Sequence, residues 1–145
     1  MNLPALALSL PLVFMLHDFE ELIGFQPWLR ANRAALLQRF PRLAPRLVAQ
    51  LERMLGAPLA CSIFLIFLLL TLLSCYAALC GDYRLWYGAL AVFTAHLLVH
   101  LLQWALWRRY IPCIITSLLA LPYGIWALAQ DFPCLLYTSP SPRDS

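Results

Sequence analysis

The chain has 145 residues, of which 63% are hydrophobic and 12% are charged. A soluble domain of this size is about 45–50% apolar and about 25% charged, so the composition argues against a soluble fold and indicates an integral membrane protein. The net charge of +3 comes from arginine without lysine, and the arginines lie between apolar runs, a pattern that disfavours nucleic acid as a partner and favours the lipid bilayer.

Four apolar runs predict an all-α fold, a polytopic transmembrane helix bundle in a single membrane domain of residues 1–134. The predicted spans cover residues 3–25, 58–80, 85–107 and 111–132. A helix of about 20 residues crosses a hydrocarbon core of about 30 Å, so each run is long enough. The first run lacks the basic start and small-residue cleavage site of a signal peptide, so we expect it to remain as a helix.

Residues 26–56 differ from these runs because they carry six arginines and three prolines. From Arg46 onward, apolar and polar residues alternate at helical spacing, which predicts one or two short amphipathic helices. Such helices could lie on the membrane surface, with Trp28 as an interfacial anchor, or form a solvated linker; the pattern supports both equally.

The last eleven residues, 135–145, differ in character from the rest of the chain. They resemble the translated sequencing-adapter tail that closes some reading frames in metagenomic assemblies, and we leave them out of the fold prediction. On this interpretation the native sequence continued beyond residue 134, and a further helix is missing.

The placement of the arginines predicts an orientation in the membrane. Six lie in residues 26–56 and two in residues 108–110, against one in residues 81–84. Because cytoplasmic loops are enriched in basic residues, we expect the first loop and the third turn in the cytoplasm and the N-terminus outside, in a bacterial plasma membrane. The five cysteines form no C-x-x-C pair, and a disulfide framework is not expected.

The residues most suggestive of chemistry are histidines and carboxylates within apolar runs. On a helix, His17, Glu20 and Glu21 share one face, and His96 and His100 share another. Counted from the outer ends of two parallel helices, His17 lies about 21 Å deep and His100 about 22 Å deep. The HxxEE residues of the first helix and the two histidines of the later helix can therefore meet at one level in the membrane. Asp18 points away from Glu20 and is expected to lie at the membrane interface.

Three imidazoles and two carboxylates predict a site for a divalent transition metal, namely zinc, iron or manganese. In this scheme His17, His96 and His100 bind the metal with either Glu20 or Glu21, and the other carboxylate orients a ligand or acts as general base. Two alternatives stay open. The histidines could only hydrogen-bond within the bundle, and the two glutamates could emerge at the cytoplasmic interface.

The segment LHDFEELIGF at residues 16–25, with Trp28 and Asn32 behind it and TAHLLVH at residues 94–100, resembles a family of membrane proteins defined by an HxxEE motif. The resemblance covers most of residues 10–130 and implies a small, all-helical integral membrane protein with a suspected metal site and no established reaction. His17, Glu20 and Glu21 match the defining motif, and His96 and His100 match the later histidines.

Three classes of function follow as hypotheses. The first is a metal-dependent hydrolase of a lipid or another membrane-embedded substrate, whose pocket should open to one side or to lipid. The second is a small transporter of protons or cations, which should have a polar path to both faces. The third is a structural subunit, in which the polar cluster only joins helices.

Overall fold

The computed structural model describes residues 2–137, with side chains through residue 130. The described chain folds into five helices and contains no strand: α1 (Leu3–Arg39), α2 (Ala44–Met54), α3 (Ala57–Cys80), α4 (Arg84–Trp107) and α5 (Ile114–Tyr137). The all-α class predicted from the sequence is confirmed. Residues 135–137 of the tail belong to α5, and the rest of that tail lies outside the described residues.

The first helix is longer than the sequence predicts. It begins after Asn2, whose side chain accepts a hydrogen bond from the Ala5 amide, and it passes residue 25 without a break. Its 37 residues extend about 55 Å, well beyond a hydrocarbon core of about 30 Å. The extension continues through Pro27 because tertiary contacts hold it: the Trp28 indole donates to the Tyr110 carbonyl, and Leu29 is buried against α2.

The predicted amphipathic segment is therefore divided between two elements. Its first half is the end of α1, and its second half is α2, which folds back along α1. Ala44 and Val48 of α2 are buried against Leu29, and Arg33 of α1 pairs with Glu52 of α2 at 2.9 Å. Part of the apolar face of α2 thus has a partner within the protein.

Helix α4 runs parallel to α1 and is matched to it in height. The connection from α3 is short, since Gly81 ends α3 in a left-handed conformation and the Asp82 carboxylate accepts from the Arg84 amide. The buried Trp86 indole then donates to the Ala7 carbonyl at 3.1 Å. Ten residues further along each helix, His96 lies level with His17.

Helix α5 packs closely on α4 through small side chains. Ser117, Ala120, Gly124 and Ala127 are buried along one face of α5. At Gly124 the approach is so close that a Cβ atom would lie 2.5 Å from the Thr94 hydroxyl oxygen. Small residues that let helix backbones approach are typical of helix pairs in membranes.

Between the arginine-rich end and the α3–α4 turn, the exposed surface of the bundle is largely apolar, while histidine, aspartate, serine and threonine side chains are buried inside it. Exposed leucine, isoleucine, valine and aromatic side chains occur on α1, α3, α4 and α5 alike. In the described chain, α3 and α4 are the two helices whose length and composition suffice to cross a membrane.

Candidate metal centre

Three imidazole rings meet between α1 and α4. The ring centroid of His17 lies 5.3 Å from that of His96 and 5.1 Å from that of His100. The Nε2 atoms of His96 and His100 are 3.0 Å apart. This is the length of a hydrogen bond between the two rings. Two nitrogens bound to one metal at about 2.0–2.1 Å each are also separated by about 3 Å, so the same spacing suits a shared ion.

The tautomer of His17 is set by Thr116 of α5. The Thr116 hydroxyl donates to Glu20 Oε2 at 2.6 Å, so towards His17 it can only accept, and His17 Nδ1 must carry the proton. His17 Nε2 is consequently unprotonated. It is also fully buried and has no hydrogen-bond partner, although a buried polar atom is nearly always bonded.

The orientation of His100 follows the same logic. Its Nδ1 donates to the Gln103 side-chain carbonyl at 3.0 Å, which leaves Nε2 unprotonated in the neutral ring. Metal-binding histidines usually donate their second ring N–H in this way, because the bond orients the ring and raises its basicity. The Nε2 of His17 is thus left unbonded, whereas the Nε2 of His100 lies within hydrogen-bonding distance of His96 Nε2.

Further ligand-type side chains surround the three histidines. Three sets of donor atoms in the described chain each lie within 4.8 Å of one another: His17 with His100 and Cys113, His17 with Asp18 and His96, and Glu21 with His96 and His100. Two of the sets contain two of the five predicted ligands, and the third contains three. Every set includes at least one histidine. Nitrogen, carboxylate and thiolate donors of this kind suit zinc or another first-row transition metal.

The two glutamates of the motif have different surroundings. Glu21 lies with His96 and His100, as predicted for a ligand. Glu20 faces α5, where it accepts from the Thr116 amide, the Thr116 hydroxyl and the Tyr110 hydroxyl, and it belongs to none of the three donor sets. Glu20 is thus linked to His17 by hydrogen bonds through Thr116. Partial burial, with the bond to Glu20, raises the pKa of the Tyr110 phenol and keeps it a donor.

Asp18 differs from its prediction. It was expected at the interface, but it is 5% exposed, and its Oδ1 has no hydrogen-bond partner. Its side chain does point about 160° away from Glu20 around the helix, as the sequence indicates. That side of α1 is occupied by α3 and α4 rather than by water, so the carboxylate is enclosed beside His17 and His96.

Cys113 was missed by the sequence prediction, which weighed the cysteines only as C-x-x-C pairs or disulfide partners. It is buried beside His17 and His100, and its backbone has a positive φ of 77°, which is uncommon for a residue other than glycine. A close approach holds the turn in place, since a Cβ atom on Gly24 of α1 would lie 3.1 Å from Pro112. Gly24 lies inside the LHDFEELIGF segment, and a glycine within a helix can indicate that another part of the chain packs closely against it.

An apolar cavity adjoins the histidines. It has a volume of about 570 Å³ and lies between α1, α3 and α4. Asp18, Glu21, Ser62 and His96 are its polar lining residues, and the remaining walls are leucine, isoleucine, valine, phenylalanine, alanine and glycine. The cavity connects a cluster of metal-ligand side chains to a volume suited to hydrocarbon.

Fold and site together define an all-helical protein with apolar outer surfaces and a buried cluster of histidines and carboxylates. The chain belongs to the family described as "Protein of unknown function with HXXEE motif", whose model matches residues 8–127. The matched range contains every residue of the cluster. No curated protein and no solved structure matches the chain.

Proposed function

We propose that this protein is a metal-dependent membrane enzyme, a hydrolase of a lipid or another membrane-embedded substrate. Its centre would bind a divalent transition metal through His17, His96 and His100, with Glu21 or Asp18 as a further ligand. The observation that carries the proposal is His17 Nε2, which is buried, unprotonated and unbonded, and faces two other imidazoles.

The structural alternative is less well supported by the same atom. A cluster that only joined helices would be expected to satisfy its buried polar groups, because each unsatisfied one costs about 1–3 kcal/mol. His17 Nε2 and Asp18 Oδ1 are both left unsatisfied, as are the Ser74 and Ser117 hydroxyls and the Trp107 indole N–H elsewhere in the described bundle. The two atoms of the cluster differ from these three because both are metal-ligand types that lie beside His96. An ion between them would satisfy both.

The cavity favours an enzyme over a transporter. It opens at one side of the centre, and most of its walls are apolar. The polar lining residues are Asp18, Glu21, Ser62 and His96, and apolar walls beyond them do not suit a path for protons or cations. A bound metal would act as a Lewis acid there. The carboxylate of Asp18 or Glu21 that is not a ligand would exchange a proton with the reacting group.

The proposal includes a membrane setting with four spans, formed by the first part of α1 and by α3, α4 and α5. Its support is the apolar exterior shared by all four helices: Leu12 and Leu16 on α1 are 64% and 68% exposed, and Leu119 on α5 is 74% exposed. Contiguous apolar surface of this extent marks contact with lipid or with protein. The arginine-rich end would face the cytoplasm.

Metal analysis of the purified protein tests the proposal. We expect about one zinc, iron or manganese ion per chain in protein prepared without a polyhistidine tag, and loss of that ion in His100→Ala. Ser117→Ala is the matched control, because Ser117 is a buried polar residue of the same bundle outside the three donor sets. A parent protein that holds none of these metals, even after their addition, would refute the proposal.

A further inference from the structure

The cavity between α1, α3 and α4 has a polar end and an apolar end. Trp86 of α4 is level with Ala7 of α1, and α4 runs parallel to α1, so His96 lies at the same end of the cavity as Asp18 and Glu21. At the other end the walls are formed by Leu73, Leu85 and their neighbours. An occupant matched to both ends has one polar group and one hydrocarbon part.

The dimensions fit one tail. The lining of α3 extends from Leu59 to Leu73, which is about 21 Å at about 1.5 Å per residue. The volume of about 570 Å³ lies within the range of about 300–1,000 Å³ found for small-molecule sites. A volume in this range holds one small ligand, and the lining follows a single groove along α3, which is matched to one hydrocarbon tail.

The cavity also opens toward the apolar exterior. Ile66 and Leu69 of α3 and Leu85 and Val92 of α4 line it while remaining 45–72% exposed on the outer surface. The mouth therefore lies on the side of the bundle, between α3 and α4. A hydrocarbon chain in a bilayer could enter there without crossing water, with its polar end directed to the histidine cluster.

We infer that the substrate is an amphiphile with a single hydrocarbon tail, which enters between α3 and α4 and places its polar group beside Asp18, Glu21 and His96. The inference rests on the proposed function for the chemistry at the polar end. Tail binding, however, depends on the cavity alone and can be measured without the metal.

Gly88 supplies the test position, because a Cβ atom there would meet nothing within 4 Å and its side of α4 lines the cavity. Gly88→Phe should fill the apolar end, and Val92→Trp should narrow the mouth. Leu98→Phe is the matched control, since Leu98 is 50% exposed on the same helix and does not line the cavity.

The experiment is photo-crosslinking of a diazirine analogue of hexadecanol to the full chain in phosphatidylcholine nanodiscs, with the labelled residues mapped by mass spectrometry. We expect saturable labelling of the cavity walls on α3 and α4. Both cavity variants should lower the labelling of the cavity walls by about tenfold or more, because a change of even one methylene group in an apolar pocket alters binding by about that factor. Leu98→Phe should leave the labelling unchanged. Circular dichroism of the same samples reports whether each variant has folded, and their metal content is measured separately.

The outcomes separate the two proposals. Labelling spread over the exposed leucines and unaffected by both cavity variants would overturn the single-tail inference, even if the metal binds. Cavity labelling that persists in a parent protein without metal would retain the inference about the tail and overturn the metal-dependent function.

Discussion

At the scale of residues, the HxxEE motif separates into groups with different surroundings. His17 lies at the centre, Glu21 and Asp18 face the cavity on one side, and Glu20 faces α5 on the other. The bonds from Glu20 to Thr116 and from Thr116 to His17 form a carboxylate–hydroxyl–imidazole series. This series determines which nitrogen of His17 is free to bind.

Removing the Thr116 hydroxyl should weaken the centre without removing a ligand. We expect Thr116→Val to lower metal affinity by about 10–100-fold, the usual effect of losing a partner that orients a ligand histidine. Thr116→Ser, which keeps the hydroxyl, should restore most of the affinity. A competitive titration against a fluorescent zinc chelator measures the change.

Thr71→Val is the control for that substitution, because Thr71 of α3 is partly buried and donates only to the Phe67 carbonyl of its own helix. Equal zinc affinities in Thr116→Val and Thr71→Val would show that the hydroxyl does not orient His17.

At the scale of elements, the centre depends on how closely α5 approaches α4 and the α4–α5 turn approaches α1. Gly124 of α5 lies against Thr94 of α4, and Gly24 of α1 lies against Pro112 of the turn. The α4–α5 turn carries Cys113 and Tyr110 to the cluster, and α5 carries Thr116. Close helix packing is therefore a condition for the geometry of the site.

We expect Gly124→Ala to destabilise the bundle by about 1–3 kcal/mol, because its methyl group would lie 2.5 Å from the Thr94 hydroxyl oxygen and overpacking costs this much. Gly88→Ala is the control, since its methyl group enters open space and alanine is the better helix former. Thermal unfolding in detergent, followed by circular dichroism, should give a lower midpoint for Gly124→Ala and an equal or higher one for Gly88→Ala. Equal midpoints for the two variants would contradict the close approach.

At the scale of the whole molecule, charge is concentrated at one end of the bundle. The end of α1, the α1–α2 turn, α2 and the turn after α4 carry eight arginines, whereas the opposite end has Arg84 beside Asp82. Arg39 also donates to the Leu106 carbonyl and lies over the Trp107 ring, which joins α1 to the end of α4. In a membrane this end would form the cytoplasmic cap of the protein.

Trypsin added to membranes tests that orientation, since it cleaves after arginine. We expect cleavage within residues 39–53 in inverted membrane vesicles and none there in intact spheroplasts, because the enzyme cannot cross the bilayer. The reverse pattern would place α2 outside the cell and contradict the proposed topology.

The sequence by itself determined the helical class, the family and the faces of α1 and α4 on which histidines lie, because composition and a period of 3.6 residues are local properties. It also anticipated that His17 and His100 could meet, and their rings lie 5.1 Å apart. Only the tertiary structure decided the roles of the neighbours.

Asp18 and Glu20 are equally polar in the sequence, and packing against different helices distinguishes them. No sequence motif marks Thr116, Gln103 or Cys113. The continuation of α1 to Arg39 depends on contacts with α2 and the α4–α5 turn. Which side of a helix is enclosed, and which ring nitrogen is free, follow from contacts between residues as far as 99 positions apart in the chain.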